Sequence, residues 1–430
     1  MTKLVKGFFD SNHLNAWKYE FLMNDLNNLA QNSGFNLLLL PHVEFTSLFT
    51  KAAGLTSTIV QKEFFFCHSR NNVNSQELVL RPELTSGIIR HFYQNKQLTS
   101  SQKHNVFSYG HCFRHENPQK GRYRQFLQWN AEQLNFQPEN IGKILSLLKT
   151  FLLQLGLINQ VSIEINYLAK QQLQLAFEKL KKHEKTLPFC ELCQKRFLVK
   201  NIYRILDCAN CQSFVKNIIN LETFLNPQQK EEYNNYYLAF QSFFPPTSII
   251  KKPSLTRGLD YYLGLVFEIK FNDANWSQNT IIAGGSYCLQ SFDDKISSGL
   301  LGFGFAIGIE RLLLFLQETN SKYFSSLLSK LQNEIVIGVL DSVFFLDAYQ
   351  LQQQMLHLGI KVQVCDKVYS FKDLLIKALK NKTKWLLIFA REFKQEEKII
   401  VRKITNDPKN RQQLLSSKEV LDLFKNNNEK

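Results

Sequence analysis

The 430-residue chain has no apolar run long enough to cross a bilayer: its most continuous one, Leu300 to Ile309, is about half of what a membrane core requires. Nor does it open like an export signal, because Met1 to Leu22 carries Asp10 and Glu20 and lacks an apolar block ending in small residues. Together these absences predict a cytoplasmic protein with no membrane attachment. Cysteine is sparse, at 8 residues, which excludes the dense disulfide framework of a small secreted domain. Acidic residues are also in deficit, 37 against 52 basic ones, and the net charge of +15 favours a polyanionic partner. The surplus is uneven, since Lys361 to Lys430 holds 17 basic and 9 acidic residues. What is plentiful is apolar surface: 44% hydrophobic and 13% aromatic residues exclude disorder as the main state. At this length they predict two or three domains, each with its own core.

Apolar residues recur at helical spacing from Leu14 through Trp17, Phe21, Leu22, Leu26 and Leu29, and Ser33-Gly34 ends that helix. Short apolar runs at Phe35 to Leu40, Phe64 to Cys67 and Glu77 to Leu80 predict strands. Val106 to Phe113 and Gln125 to Leu134 predict a hairpin whose long tip, Arg114 to Arg124, is basic and holds Pro118 and Gly121. From about Asn166 to Phe244 the chain turns to Lys, Gln and Leu at helical spacing, which suggests an inserted helical module closed by Pro245-Pro246. Strands return at Tyr261 to Phe271, Thr280 to Ala283 and Gly299 to Gly308, followed by a helix at Ile309 to Thr319. This core reads as an antiparallel sheet mixed with helices. After Leu331, apolar runs at Ile335 to Leu340, Ile360 to Val364 and Trp385 to Ala390 alternate with helical stretches, the pattern of a small α/β unit. The Asn-rich tail Lys425 to Lys430 is expected to fray, and no internal repeat is found.

Three stretches concentrate chemistry. The hairpin tip offers Arg114, Arg122, Arg124 and Lys120 around a Gly-Pro loop, a set that fits a triphosphate, because each guanidinium presents a planar fork of donors, and equally a solvated basic hairpin. The strand pleat places Phe126, Gln128 and Glu132 on one face beyond it. The string Arg257-Gly258-Leu259-Asp260-Tyr261-Tyr262 puts an arginine and a carboxylate beside two tyrosines. In Gly302-Phe303-Gly304-Phe305-Ala306-Ile307-Gly308-Ile309-Glu310-Arg311, glycines let a flat ligand or a backbone approach closely before an arginine at a helix start. A separate signal is Cys190-x-x-Cys193 and Cys208-x-x-Cys211, separated by 14 residues. That spacing fits a structural zinc held by four thiolates and equally four reduced, partly buried thiols.

Leu40-Pro41, Phe113 to Glu116 and Gly304 to Arg311 resemble the three motifs of a class II aminoacyl-tRNA synthetase. Arg257 to Tyr262 with Arg81-Pro82-Glu83 resembles the histidyl-tRNA synthetase family in particular. The resemblance spans nearly the whole chain and implies an α+β fold: a class II antiparallel sheet with flanking helices over residues 1–331, a helical insertion at about 166–244, and an α/β anticodon-binding domain over 332–430. It implies attachment of histidine to histidine tRNA through an adenylate, with ATP and Mg²⁺, by a homodimer. Arg114, Glu116, Arg122 and Arg311 would surround ATP, with Arg114 and Arg257 the catalytic charges. Glu83, Thr85, Gln128, Glu132, Arg257, Tyr261, Tyr262 and Tyr287 would hold histidine.

Two departures from the family pattern stand out. Asn117 occupies a position that is usually arginine, and the usual Gly-Gly-Arg-Tyr-Asp-Gly reads Gly284-Gly285-Ser286-Tyr287-Cys288-Leu289, a change expected to loosen a loop. The alternative reading is a non-aminoacylating regulatory paralogue acting in histidine biosynthesis. Such paralogues erode the ATP arginines and lack the C-terminal domain, whereas Arg114, Arg257 and Arg311 are present here and about 100 residues follow the core.

Overall fold

The N-terminal periodicity folds as one helix, His13–Asn32, which stops where Ser33 N–H returns to the carbonyls of Leu29 and Ala30. Gly34 follows at φ +76°, a left-handed turn that only glycine adopts without strain. The computed structural model describes residues 2–53, 59–68, 77–183, 187–206, 208, 210–256, 261–272, 278–319, 321–325, 327, 334–381, 383–404 and 412–428. The chain divides into two compact units, Met1–Tyr323 and Phe324–Lys430.

In the first unit the strands are β1 (Asn36–Leu37), β2 (Val43–Phe45), β3 (Phe65–Cys67), β4 (Leu78–Leu80), β5 (His104–Phe113) and β6 (Gln125–Leu134). They continue with β7 (Val161–Leu168), β8 (Ile249–Lys251), β9 (Tyr262–Phe271), β10 (Thr280–Cys288) and β11 (Leu301–Gly308). A large sheet runs in the order β1-β5-β6-β11-β10-β9-β7-β8, and β2-β4-β3 form a small one. The six central strands pair antiparallel, as the sequence predicts, while the short edge strands β1 and β8 pair parallel with β5 and β7. Edge strands of two and three residues leave no periodicity from which their direction can be read.

Strand β10 is longer than the run Thr280 to Ala283 suggests, since it continues through Gly284 and Gly285 to Cys288. The glycine pair is strand and not loop because its neighbours lie too close for a Cβ: one on Gly284 would meet the Gly304 carbonyl and, at 2.7 Å, Phe305 Cβ. Ser286 replaces an expected arginine inside this strand, where its hydroxyl donates to the Leu263 carbonyl at 2.7 Å. The segment is therefore sheet-bound.

Between β7 and β8, helices Lys170–Lys181, Glu191–Leu198, Ile202–Leu206 and Gln212–Ile218 share a core of their own, with Phe177, Phe197, Ile205 and Val215 buried at its centre. The longer helix Pro227–Phe243 faces β7, where Tyr233 donates to the Ile165 carbonyl at 3.0 Å. It starts under an Asn226–Gln229 capping box with Pro227 in its first turn.

In the second unit, β12 (Ile335–Val339), β13 (Val362–Val364) and β14 (Trp385–Phe389) pair parallel. Two antiparallel strands that the sequence reading missed, β15 (Lys398–Lys403) and β16 (Gln412–Ser416), extend the sheet. The terminal helix Ser417–Asn428 runs through most of the Asn-rich tail that was expected to fray.

Candidate active site

The register of β6 against β11 builds the site. Gln128, Asn130, Glu132 and Leu134 alternate along β6 and stand opposite Gly308, Ala306, Gly304 and Gly302 of β11. Three polar side chains followed by Leu134 therefore lie beside a stripe of small residues, and the glycines make room for protein side chains. A Cβ on Gly304 would fall on the Glu132 carboxylate, and one on Gly302 would fall on the Tyr287 ring.

Glu132 is the hub. Its Oε1 accepts from the Thr85 hydroxyl at 2.8 Å and from Asn130 Nδ2 at 3.2 Å, and its Oε2 accepts from the Tyr287 hydroxyl at 2.8 Å. Gln128 Nε2 donates to Asn130 Oδ1 at 2.7 Å, which extends the network along the strand. Burial pushes the Glu132 carboxyl up to about 7, reinforced by nearby Glu83 and opposed by the three side-chain donors. Glu83 caps the helix Thr85–Gln94 by accepting from the backbone N–H groups of Thr85 at 2.5 Å and Ser86 at 2.9 Å. Burial also raises its pKa, against those hydrogen bonds and the charge of Arg114. Tyr261 and Tyr262 lie with ring centroids 4.7 Å apart, and burial holds the Tyr261 and Tyr287 hydroxyls well above the ordinary tyrosine value.

The guanidinium groups come from the hairpin tip and from the helix after β11. Arg114 Nε donates to the Pro82 carbonyl at 2.9 Å, and its guanidinium lies 5.2 Å from the centroid of the Phe126 ring. Its Nη1 is 3.9 Å from Glu116, whose other carboxylate oxygen pairs with Arg122. Arg311 spans two elements, with Nε donating to Gly121 O at 2.9 Å and Nη1 to Thr280 O at 2.7 Å. Gly121 is left-handed at φ +74°, which lets the tip turn back against the Arg311 side chain.

Most of these groups border one cavity of about 420 Å³. Of the residues singled out from sequence, Glu83, Thr85, Arg114, Glu116, Arg122, Gln128, Glu132, Tyr261, Tyr262 and Arg311 line it. Tyr287 stands behind the lining, in contact through Glu132. Arg257 lies outside the described residues, between Thr256, which lines the cavity, and Tyr261. Sequence reasoning passed over Asn130, although it has the same strand parity as Gln128 and Glu132. It also gave no role to Glu310, which accepts from Leu127 N–H at 2.7 Å through one oxygen. The other oxygen has no partner among the described residues, and burial pushes this carboxyl up to about 7. Arg81 is structural: it is buried and donates to the carbonyls of His111, Leu40 and Pro41, pinning that turn to β5.

An antiparallel sheet with a charged hairpin, a glycine-bearing strand leading to an arginine helix, and one shared cavity define a class II aminoacyl-tRNA synthetase. A family model described as histidyl-tRNA synthetase matches residues 7–195. A histidine–tRNA ligase of Onion yellows phytoplasma is 30% identical over an alignment of 441 positions that covers 100% of both chains. One from Francisella tularensis subsp. novicida is 32% identical, over 91% of this chain and 92% of that one. The crystal structure of apo S. aureus histidyl-tRNA synthetase superposes with a TM-score of 0.75 at 23% identity, covering 99% of this chain and 100% of that one. The chain belongs to the histidyl-tRNA synthetase family.

The stripe of small residues makes a prediction. Gly304→Ala should displace the Glu132 carboxylate, so histidine should be needed at a concentration at least tenfold higher, with a stability loss of about 1–3 kcal/mol from overpacking. Amino-acid titrations and thermal melts of this variant would read both. A variant with normal histidine dependence would mean that Glu132 can move aside without cost.

Proposed function

We infer that the chain joins histidine to ATP as histidyl-adenylate and then transfers the histidyl group to histidine tRNA. The observation that carries this reading is that Glu83 and Glu132 are buried carboxylates held by neutral donors, in the same cavity as Arg114, Arg122 and Arg311. An amino acid brings the missing cation in its ammonium group, and histidine adds an imidazole that Glu132, Gln128 and the tyrosine hydroxyls can meet at both nitrogens. The guanidinium groups suit the phosphates.

A carboxylate oxygen of histidine attacks the α-phosphorus of ATP in line, the bond to the bridging oxygen breaks, and pyrophosphate leaves. No general base is required, so catalysis is positioning and stabilisation of charge on the phosphoryl oxygens. Arg114 and, by its place in the sequence motif, Arg257 supply that charge, while Arg311 and Arg122 hold the outer phosphates and Glu116 faces the adenine. The Mg²⁺ that accompanies ATP neutralises phosphate charge when bound. Glu310, with one unpartnered oxygen among the described residues, and Glu268 are hard oxygen donors on the cavity wall that would hold it. In the second step a ribose hydroxyl of the tRNA end attacks the adenylate carbonyl, and AMP leaves.

The α/β unit with the basic surplus reads the anticodon, supported by its separate core and its freedom from every cavity residue named above. Two copies pair around Leu40-Pro41, supported by the exposed Leu37, Leu39, Val43, Phe45 and Phe66 nearby. Among the described residues no helix is long and apolar enough to cross a membrane, and the reaction belongs in the cytoplasm with the rest of translation. A regulatory paralogue would have no use for Arg114 and Arg311 in the cavity.

ATP–pyrophosphate exchange with each of the twenty amino acids tests the assignment: histidine alone should support exchange, and exchange with another amino acid or with none would overturn it. A chain ending at Tyr323 should keep histidine-dependent exchange yet lose most tRNA charging. Its tRNA affinity should also fall less steeply with salt than that of the full chain. Charging that survives the truncation would remove the second unit from tRNA recognition.

A further inference from the structure

Away from the cavity, the module between β7 and β8 gathers four sulfurs. Cys190 caps the helix Glu191–Leu198, Cys193 lies in its first turn, and Cys208 and Cys211 precede the helix Gln212–Ile218. The four Sγ atoms lie within 4.8 Å of one another, with Cys190 and Cys208 3.8 Å apart. We propose that they hold a structural Zn²⁺ as a tetrathiolate. A tetrahedron with Zn–S bonds of about 2.3 Å has sulfur–sulfur edges of about 3.8 Å. Four sulfurs drawn from two separate chain segments converge on that scale.

The surroundings of the cluster provide an independent argument. Arg196, 4% exposed, directs Nη1 to the Arg204 carbonyl at 2.9 Å and to Cys193 Sγ at 4.0 Å. No carboxylate pairs with Arg196 among the described residues, and its Nε has no partner there. Four neutral thiols would leave this buried cation with no counter-charge among the described residues, which is costly, whereas a zinc tetrathiolate carries a net charge of −2 beside it. The Cys190 N–H also points at Cys211 Sγ, 3.4 Å away, a donor that favours a thiolate.

The consequence reaches the cavity. Thr256, on its wall, donates to the Tyr203 carbonyl at 3.1 Å in the helix Ile202–Leu206, which runs between the two cysteine pairs. A metal closing those pairs fixes the helix on which Thr256 leans, so zinc would be a structural brace and take no part in the chemistry.

The test uses the full chain purified without added metal and washed with EDTA. About one zinc per chain is expected by elemental analysis, with the four thiols unreactive to a thiol reagent until a mercurial releases the metal. Protein made in cobalt-supplemented medium should show a sulfur-to-cobalt charge-transfer band and the visible absorption of tetrahedral Co²⁺. The double variant Cys193→Ser, Cys211→Ser should lose both metal and band, but the wild-type measurements decide the matter even if that variant fails to fold. Zinc well below one per chain, no cobalt spectrum and four thiols that react at once would overturn the proposal in favour of plain thiols. Histidine-dependent pyrophosphate exchange in the same zinc-free sample, assayed with Mg²⁺, would show that the activity inferred above stands apart from that failure.

Discussion

Replacing Glu132 with glutamine is expected to raise the histidine concentration needed for activation roughly 100-fold while leaving ATP use nearly unchanged, and to make the ligand-free protein more stable above pH 7. The binding loss follows from chemistry: a buried carboxylate that meets an ammonium or an imidazole N–H is worth about 1.5–3 kcal/mol, and a neutral amide gives most of that up. The stability gain follows from linkage. Burial raises the Glu132 pKa to about 7 in the folded state, whereas an unfolded glutamate titrates near about 4.3. Between those values the native state holds the extra proton, so stability falls as pH rises across that window and stays lower above it. Glutamine cannot ionise, so the variant should melt at nearly the wild-type temperature at pH 4 and at a higher one at pH 8. Glu83 and Glu310 are also raised by burial, so the informative quantity is the difference between variant and wild type. Histidine dependence that stays put while the ATP requirement shifts would place the amino acid elsewhere, and a pH-independent difference in melting would mean that Glu132 is not the group that titrates.

The same residue shows what could be read without coordinates. Gln128 and Glu132 were legible because a strand alternates its faces, and β6 spans the run that its residues mark, Gln125–Leu134. Tyr287 was known only through resemblance. Its hydroxyl reaches Glu132 across 155 positions of sequence, and only the pairing of β6, β11 and β10 brings the two together. Gly302 and Gly304 announced a close approach, but their spacing could not say that Tyr287 and Glu132 fill the space in place of a ligand. Asn130 was missed because an amide between two apolar neighbours looks structural until its donors are seen on Thr85 and Glu132. In the second unit β15 went unnoticed because its buried core is three residues long, Ile399, Ile400 and Val401, inside a lysine-rich stretch. Strand β16 exposes most of its residues at the sheet edge and has no hydrophobic pattern to read.

Arg114→Ala should have the largest effect on chemistry, lowering the single-turnover rate of adenylate formation by about 10³-fold with histidine affinity little changed. Removing one preorganised donor from a site of developing charge commonly costs about 10²–10³-fold, and here a full charge goes as well. The site prepares this side chain before any ligand arrives: Pro82 fixes Nε, the guanidinium carbon lies over the Phe126 ring at 5.2 Å from its centroid, and Glu116 stands at 3.9 Å from Nη1. What remains for the phosphate is the outer edge of the fork. Since the bond to Pro82 O is also structural, Arg114→Lys separates the two roles, because it keeps the charge but loses the fork and the bond to the loop. If charge dominates, lysine should recover at least tenfold over alanine. If geometry dominates, the two variants should be equally slow, while matching thermal melts would show that the hairpin survives in both. An alanine variant that forms adenylate at a near-normal rate and is deficient only in ATP affinity would make Arg114 a binding residue and leave the transition-state charge to Arg257.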